Sequence, residues 1–425
     1  MTGSSWTNVA LKQIAYLYSG NSIKDEEKQC YQDPNDAVPY IATKDIAAEG
    51  QFVDYENGMY VKRSDVSFSR AHSGDTLICL EGGSAGRKIA LLNREAAFVN
   101  KLCCVHAHGA NPGFLFYAMQ TNDFKDSFYS SMTGLIGGVS VSALGNIKIP
   151  LPDQNEQLRI ANCLDLRTKQ INRLIELTEQ AIKLDEELMR LEISQAVITG
   201  FNQDAHLIDS GISWIGEIPS TWKRSRIGWI RRRPTAYGVI KLGEEPDEDG
   251  IPVLRCSDVR SGYIDFSGVR TVEKSLSDEF ARTLLSGGEV LIDVRGTLGG
   301  CAVVPDTCSG WNIAREVAMI DVSPDYDSRF VKYFLMGESF WSYLNSNLAG
   351  SVYQGLNIEV LEHAEIVLPP YDEQVAIADY LDQKFDRFQQ LVNKKQLLLS
   401  GLREYRSTVI SEAVAGKIEV PSFQQ

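Results

Sequence analysis

The stretch Leu151-Pro-Asp-Gln-Asn-Glu-Gln157 opens a segment that runs from Asp153 to Val197 without glycine or proline. The same pattern returns at Leu368-Pro-Pro-Tyr-Asp-Glu-Gln374 and continues to Val414, at a constant offset of 217 residues. A fixed offset over such a length indicates an internal duplication, which outranks other signals when a fold is predicted. Identical residues are spread along both copies: Ile160/Ile377, Ala161/Ala378, Leu164/Leu381, Asp165/Asp382, Leu174/Leu391, Glu187/Glu404, Ile193/Ile410, Ala196/Ala413 and Val197/Val414.

Apolar residues in both copies recur at steps of three and four, which is the spacing of one face of an α-helix. Asp153 with Glu156 predicts an N-cap and capping box, and Pro370 is tolerated in a first helical turn. Each helix is expected to span about 45 residues, or roughly 68 Å. The predicted stripes are Ile171, Leu174, Leu177, Ala181, Leu184, Leu188 and Leu191, and Phe385, Phe388, Val392, Leu399, Leu402 and Val409.

A single helix of this length must cover its apolar stripe. We expect each helix to be covered by its duplicate, as an antiparallel coiled coil. The alternative is two amphipathic helices that each pack on their own domain.

The segments before the two helices share one plan. Short strands, turn signals and one or two helices predict a mixed α+β fold for both. The predicted segments are 1–150, the first domain; 151–209, the first helix and a connector; 210–367, the second domain; and 368–425, the second helix. Matching motifs are Val38–Asp45 with Ile251–Asp258, Ser73–Leu80 with Ser286–Asp293, Gly83–Gly86 with Gly296–Gly299, and Phe114–Tyr117 with Phe330–Tyr333.

Composition excludes several classes of protein. The net charge of −14 argues against a free-standing nucleic-acid binder, because phosphate neutralisation needs a surplus of Lys and Arg. No apolar run approaches the ~20 residues of a membrane span, and the N-terminal residues do not resemble a signal peptide. The eight cysteines contain no Cys-x-x-Cys pair, so neither zinc site nor disulfide framework is predicted. This pattern favours a cytoplasmic protein.

Catalytic motifs are weak. Asn111-Pro-Gly-Phe114 resembles the Asn-Pro-Pro-Phe loop of amino-methyltransferases, and Asp293-Val-Arg-Gly-Thr-Leu-Gly-Gly300 resembles a Gly-rich cofactor loop, but the two occur in the wrong order. No phosphate-binding Gly-x-x-x-x-Gly-Lys-Ser/Thr loop is present. His106 and His108 fall on one face of a predicted strand, where ordinary strand histidines are favoured over a metal site. We therefore predict no catalytic, cofactor or metal site in this chain.

In combination, three features resemble the specificity (S) subunit of type I restriction–modification systems. These are the two Leu-Pro-x-x-x-Glu-Gln helices, their closing Ala196-Val-Ile-Thr-Gly200 and Ala413-Val-Ala-Gly416, and the connector Trp214-Ile-Gly-Glu-Ile-Pro-Ser-Thr-Trp222. The resemblance covers the whole chain. It implies two tandem mixed α/β target recognition domains, separated by two long helices that form an antiparallel coiled coil with pseudo-twofold symmetry.

The resemblance also implies a non-catalytic adaptor that reads a bipartite, asymmetric DNA site. Two methylase subunits, which carry S-adenosylmethionine, dock on the helices, and restriction subunits, which use ATP and magnesium, join through the methylase core. The docking candidates that follow from the resemblance are Glu156, Gln157, Glu373 and Gln374.

Candidate DNA-binding residues are polar side chains beside turns, because Arg pairs with guanine and Asn or Gln with adenine. The densest basic cluster, Arg231-Arg-Arg-Pro234, is a candidate backbone contact, with a solvated strand end as the alternative. For each candidate the alternative is ordinary surface charge. They are Lys44, Arg63, Arg70, Arg87 and Lys88 in the first domain, and Arg231, Arg232, Arg255, Arg260, Arg270, Arg295, Arg315 and Gln354 in the second.

Two other functions stay open at this point. One is a self-contained adenine methyltransferase with duplicated target domains, which predicts S-adenosylmethionine binding by the purified chain. The other is a scaffold subunit that does not read DNA, which predicts no methylated motif when the chain is expressed with a methylase.

Overall fold

The computed structural model describes residues 6–47, 52–133, 137–202, 204–246, 249–295, 299–348 and 355–418. The chain forms two compact units. Unit 1 comprises Met1–Glu179 together with Gln396–Gln425, and unit 2 comprises Gln180–Lys395. Each unit therefore contains one half of each long helix. The segments predicted from the sequence are each a continuous stretch of chain, whereas unit 1 is built from two separate stretches. The predicted segment boundaries stay predictions.

Unit 1 begins with short strands and ends in three short helices and a long one. Its strands are β1 Thr7–Ala10, β2 Ala15–Ser19, β3 Ala37–Ile41, β4 Tyr60–Lys62, β5 Arg70–Ala71, β6 Thr76–Cys79, β7 Ile89–Leu91, β8 Ala96–Phe98, β9 Leu102–Ala107 and β10 Lys148–Leu151. Its helices are α1 Pro112–Ala118, α2 Asn122–Ser130, α3 Val141–Asn146 and the first part of α4 Gln154–Thr199.

Unit 2 repeats this plan after a short connector. Its strands are β11 Leu207–Asp209, β12 Glu217–Pro219, β13 Lys223–Arg226, β14 Ala236–Tyr237, β15 Ile251–Leu254, β16 Arg270–Val272, β17 Val290–Asp293, β18 Cys301–Val303, β19 Asn312–Ile313, β20 Val317–Ile320 and β21 Glu365–Leu368. Its helices are α5 Lys274–Glu279, α6 Ser328–Met336, α7 Glu338–Leu348, α8 Ile358–His363 and the first part of α9 Tyr371–Val414.

The main sheets of the two units have the same strand order, and their second sheets share a three-strand core. Unit 1 has a four-stranded sheet β2-β9-β6-β7 and unit 2 has β14-β20-β17-β18. A second sheet contains a parallel pair in each unit, β3 with β8 and β15 with β19. In each unit an antiparallel pair, β1 with β10 or β13 with β21, directly precedes the long helix. The prediction of two tandem mixed domains is therefore confirmed.

The strand register corrects one detail of the predicted repeat. The sequence alignment matched Leu80 with Asp293. In the structure, however, Cys79 pairs with Leu102 in unit 1, and Asp293 pairs with Val317, the equivalent of Leu102, in unit 2. Asp293 is therefore the counterpart of Cys79. The additional glycine in Ser286-Gly287-Gly288 shifts the alignment by one residue, because the ungapped comparison matched the first glycine rather than the second.

The ends of both long helices form as their sequences indicate. The Asp153 carboxylate accepts a hydrogen bond from the Glu156 backbone N–H at 3.0 Å, which caps α4. Helix α9 begins directly after Pro370 and carries acidic residues in its first turn, where they suit the helix dipole. Beyond the C-terminal ends, Gly200 and Gly416 adopt φ values of +67° and +66°, the left-handed conformation that terminates helices.

Within each unit the two long helices run antiparallel. In unit 1, Arg403 bonds Glu179 and Arg406 bonds Asn172. In unit 2, Lys395 pairs with Asp185 at 2.5 Å, while Lys384 and Tyr380 both contact Glu192. Positions advance along α4 as they retreat along α9, so the coiled-coil prediction is confirmed in its direction.

The face of α4 that meets α9 differs from the predicted one. Leu174, Leu177, Leu184, Leu188 and Leu191 are 43% to 63% exposed, whereas Ile171, Ile175 and Met189 are buried. On α9 the predicted stripe is correct, since Phe385, Val392, Leu399 and Val409 are buried.

The repeat explains this difference. Subtracting 217 from the α9 stripe gives Thr168, Ile171, Ile175, Ile182, Asp185 and Glu192, so the α4 seam contains polar residues. A count of apolar residues therefore selected the neighbouring face.

The cores of the two units are built from equivalent residues. Ile193, Ala196 and Val197 of α4 lie in the core of unit 2 beside α6. Their counterparts Ile410, Ala413 and Val414 of α9 lie in the core of unit 1 beside α1. Among the described residues, no helix is both long and apolar enough to cross a membrane. All eight cysteines are unpaired.

Candidate nucleic-acid interface

In unit 1, the structure brings three of the predicted residues together at the end of strand β6. The Lys88 ammonium donates to the Thr43 carbonyl at 2.8 Å, which places Lys88 beside exposed Lys44. The Lys88 carbonyl accepts from the Cys79 N–H at 2.9 Å, so the exposed Arg87 also lies at the end of this strand. These basic residues surround the turn Gly82–Ser84.

In unit 2, four predicted arginines surround the end of strand β17. The Arg260 carbonyl accepts from Cys301, whose neighbour Gly300 bonds Asp293. The Arg295 N–H donates to the Glu316 carbonyl, which places Arg295 next to the turn that carries Arg315. The side chain of Arg255 lies in the same region, where it pairs with Asp258. We call this set in unit 2, together with Lys44, Arg87 and Lys88 in unit 1, the loop clusters.

Several residues of the loop clusters are available to a ligand. Lys44, Arg87, Arg295 and Arg315 are exposed. The Arg295 guanidinium lies 5.7 Å from the centre of the Tyr237 ring, and this cation–π contact stabilises the charged side chain. The Tyr237 hydroxyl is itself fixed, because it donates to the Leu356 carbonyl and accepts from the Ile358 N–H.

The other basic candidates are engaged within the chain, and DNA contact by them stays a prediction. Arg63 pairs with Glu95, Arg260 with Asp265 and Arg270 with Glu245. Arg70 donates to the carbonyls of Lys62 and Asp65. Arg255 donates to both Asp258 and the Gly268 carbonyl. Gln354 and residues 296–298 lie outside the described residues.

The arginines of the basic cluster at 231–234 form ion pairs with carboxylates of unit 2. Arg233 contacts Asp321 at 2.5 Å and Glu289 at 3.2 Å, and these carboxylates are 3% and 0% exposed. Arg232 also pairs with Asp321, and Arg231 pairs with Glu362. An unpaired buried carboxylate is strongly destabilising, so these arginines stabilise the fold. The arginines are therefore paired within the fold and do not form a merely solvated strand end, and DNA contact by Arg231 and Arg232 stays a prediction.

A buried carboxyl group lies at the centre of the unit 2 loop cluster. Asp293 is 2% exposed, and within the described residues its Oδ1 atom has no hydrogen-bond partner. Burial raises the pKa of Asp293 to about 8, and the nearby Glu316 carboxylate acts in the same direction. The group is therefore largely protonated at neutral pH.

Gln157 and Gln374, two of the predicted docking residues, are buried at the start of the long helices. Gln157 accepts from the Asn111 N–H at 2.7 Å and donates to the Pro152 carbonyl. Gln374 makes the same pair of bonds, accepting from the Asp327 N–H at 3.0 Å and donating to the Pro369 carbonyl. Their exposures of 1% and 2% leave no room for a partner. These bonds attach α1 to α4 and α6 to α9, and they argue against direct docking by either glutamine.

Glu156 and Glu373 are partly exposed, and each has a partner in the chain. Glu156 pairs with Arg159 on the next turn. Glu373 accepts a hydrogen bond of 3.2 Å from the Trp222 indole, which ties the connector to α9. Methylase docking by these two residues stays a prediction.

A second attachment in each unit was not predicted. The Tyr117 hydroxyl donates to Asp165 at 2.7 Å, and the Tyr333 hydroxyl donates to Asp382 at the same distance. Arg329 and Lys332 add ion pairs to Asp382 in unit 2. The signal was present in the sequence, because both the tyrosines and the aspartates are matched by the repeat.

Two motifs have structural roles. The Asn111 side chain of the methyltransferase-like motif accepts from the Phe114 N–H at 3.0 Å, so it caps helix α1. His106 bonds the buried carboxylate of Asp75 at 2.7 Å, and His106 and His108 both contact the ring of Tyr16. Among the described residues, no group of three or more His, Cys, Asp and Glu side chains is arranged to hold a metal ion.

Comparison with known proteins gives one family over most of the chain. A family model described as type I restriction modification DNA specificity domain matches residues 3–184 and 219–399. These two matches contain most of the described strands and the first part of each long helix.

Individual relatives agree with this match. The EcoBI type I restriction enzyme specificity subunit of Escherichia coli is 24% identical over 431 residues, covering 97% of this chain and 86% of the relative. The MjaVIII type I restriction enzyme specificity subunit of Methanocaldococcus jannaschii is 26% identical, covering 94% and 89%.

The fold is also found in a solved structure. A chain from a study of complex assembly and conformational transition of the type I R-M system matches with a TM-score of 0.66 and 18% identity. The match covers 98% of this chain and 99% of that one. At this identity the likeness shows the fold alone.

Proposed function

Since the chain belongs to the type I restriction–modification DNA specificity family, whose named relatives are specificity subunits and not catalysts, we propose that it reads a bipartite, asymmetric DNA site. Each unit reads one half-site. The long helices, which are continuous through both units, set the spacing of the half-sites. The proposed setting is the cytoplasm.

The observation that carries this proposal is the equivalence of the two loop clusters. Both lie at the end of the same strand of the same sheet, β6 in unit 1 and β17 in unit 2. The sheets are alike, but the side chains in the two clusters differ. One scaffold with different polar side chains is suited to two different sequences, so the half-sites are expected to differ.

The acidic balance of the chain supports a shared DNA interface. With a net charge of −14, the chain neutralises few phosphates alone. We propose that two methylase subunits supply the remaining positive charge and bind S-adenosylmethionine. Restriction subunits, which use ATP and magnesium, then join through the methylases.

The exposed leucine face of α4 is the proposed docking surface for a methylase. Leu184, Leu188 and Leu191 in unit 2 are 54% to 63% exposed, at the spacing of a coiled-coil seam. Contiguous exposed apolar residues on a helix are typical of a partner interface. This surface replaces Gln157 and Gln374, whose side chains are occupied within the chain.

The test is to express the full chain with its methylase and map methylated adenines in the DNA of the host. A split, non-palindromic motif is the expected result. No motif would favour a scaffold that does not read DNA.

A second measurement separates the adaptor from an enzyme. Calorimetric titration of the purified chain with S-adenosylmethionine is expected to show no binding, because the cofactor belongs to the methylase. Binding by the isolated chain would favour a self-contained methyltransferase.

A further inference from the structure

Strand register makes individual residues of the two loop clusters comparable. Cys79 and Asp293 occupy the same position of their ladders, as shown by their pairs with Leu102 and Val317. Two residues further on, Glu81 forms a bridge with Gly138 in unit 1. Arg295 forms the same bridge with Gly355 in unit 2. Glu81 and Arg295 are therefore structural counterparts of opposite charge.

A second pair of counterparts lies in the adjacent turn. The Val99 N–H donates to the Ile41 carbonyl, and the Ala314 N–H donates to the Leu254 carbonyl, both at 2.9 Å. The next residue is Asn100 in unit 1 and Arg315 in unit 2.

This turn adjoins the first pair in both units. The Leu80 N–H donates to the Lys101 carbonyl at 2.9 Å, and the Val294 N–H donates to the Glu316 carbonyl at 2.8 Å. The two variable positions of each unit therefore lie next to each other.

All four residues are exposed. Among the residues that the structure describes, the side chains of Glu81, Asn100 and Arg315 make no hydrogen bond or ion pair. The Arg295 guanidinium lies over the Tyr237 ring, and within the described part of the chain none of its N–H groups donates a hydrogen bond. The backbone hydrogen bonds at these positions are the same in the two units, whereas the exposed side chains differ in charge and in hydrogen-bonding groups. Such a difference on a common backbone is what two readers of different sequences require.

The chemistry of these side chains matches base recognition. Arginine donates two hydrogen bonds to guanine O6 and N7, asparagine forms a bidentate pair with adenine, and glutamate accepts from the cytosine amino group. We propose that these two positions choose the bases that distinguish the half-sites. Arg295 and Arg315 each take a guanine in one half-site, while Glu81 takes a cytosine and Asn100 an adenine in the other.

This inference rests on the proposed function, and the experiment separates the two. The full chain in complex with its methylase is used to select from a duplex DNA library of random sequence, and the bound DNA is sequenced. The variants are R295E and E81R. The controls R282E and E26R make the same charge changes at exposed positions outside the loop clusters.

The expected result for R295E is loss of one guanine from one half-site, with roughly ten- to hundredfold weaker binding to the wild-type site. The other half-site and the spacer stay unchanged. E81R is expected to exchange a cytosine for another base in the opposite half-site. R295Q, which keeps a polar side chain, loses the same guanine preference and guards against misfolding of R295E.

Two results would overturn the proposal. An unchanged motif in R295E, R295Q and E81R, alongside a bipartite wild-type motif, refutes the base assignment and leaves the proposed function intact. A wild-type complex that selects no bipartite motif refutes both.

Discussion

The Tyr117 hydroxyl and the Asp165 carboxylate are joined by a hydrogen bond of 2.7 Å, and the repeat reproduces this bond between Tyr333 and Asp382. Burial and the bond to Asp165 raise the pKa of Tyr117, so the phenol stays protonated and donates. In each unit the bond attaches the first helix after the sheet to a long helix. It is one of two such attachments, the other being made by Gln157 or Gln374.

Tyr117→Phe and Tyr333→Phe are each expected to lower the free energy of unfolding by about 1 kcal/mol, the usual contribution of a single hydrogen bond. Urea denaturation measures this. The double variant Y117F/D165A is expected to be less destabilised than the sum of its single variants, because each substitution removes the same hydrogen bond. Additive effects would show that the bond contributes nothing.

Arg233→Met is expected to destabilise the protein by about 3 kcal/mol or more, since it leaves Asp321 and Glu289 with less compensating charge inside unit 2. Arg232→Met is the matched control. Its side chain is 50% exposed, and Arg233 still neutralises Asp321, so a smaller loss is expected. Equal losses in urea denaturation would contradict the assignment.

Asp293 predicts a pH dependence of stability. The unfolded carboxyl has a pKa of about 3.9, whereas burial raises the folded value to about 8. Between these values the folded state binds more protons, so the free energy of unfolding falls as pH rises from about 4 to 8.

The variant Asp293→Asn cannot ionise and isolates this effect. Its stability advantage over the wild type is expected to grow between pH 5 and pH 8.5 and to reach the order of a few kcal/mol. Arg260, Glu316 and Asp258 face the same carboxyl and are unchanged in the variant. Parallel stability curves from urea denaturation at several pH values would contradict the prediction.

The double variant L184Q/L188Q tests the leucine face of α4. Both side chains are more than half exposed, so the free energy of unfolding is expected to change by less than about 1 kcal/mol. Co-purification of the methylase is expected to fall sharply, since each leucine buried at an interface contributes about 1.5–3 kcal/mol. Glu186→Gln, an exposed position on the same helix and away from the leucine face, serves as the control. Undiminished co-purification would exclude the face as the docking site.

Much of the fold could be predicted from the sequence, because each copy of the duplicated segment predicts the same elements and so confirms the other. The two long helices, the capping by Asp153 and the repeated α+β plan all follow from local periodicity and the offset of 217 residues. The prediction of which face of α4 meets α9 was wrong, because Asp185 and Glu192 lie at interhelical positions and pair with Lys395 and Lys384. Hydrophobicity alone cannot recognise a charged residue whose partner is more than 190 residues away.

The candidate site was less predictable. Eight basic residues with similar sequence surroundings turned out to be engaged by acids or carbonyls, and only three-dimensional proximity separates these from exposed Arg87 or Arg315. The variable pairs Glu81/Arg295 and Asn100/Arg315 require the strand register, since the sequence alignment was displaced by one residue at this point.

The order of synthesis has a consequence for how the two units fold. Unit 2 is an uninterrupted stretch, Gln180–Lys395, whereas the core of unit 1 includes Val409, Ile410, Ala413 and Val414. These four residues leave the ribosome after every residue of unit 2. The core of unit 1 therefore stays incomplete, with apolar surface exposed, until all of unit 2 has been synthesised. A released chain that ends before residue 409 would contain every residue of unit 2 but an open unit 1 core, to which chaperones could bind.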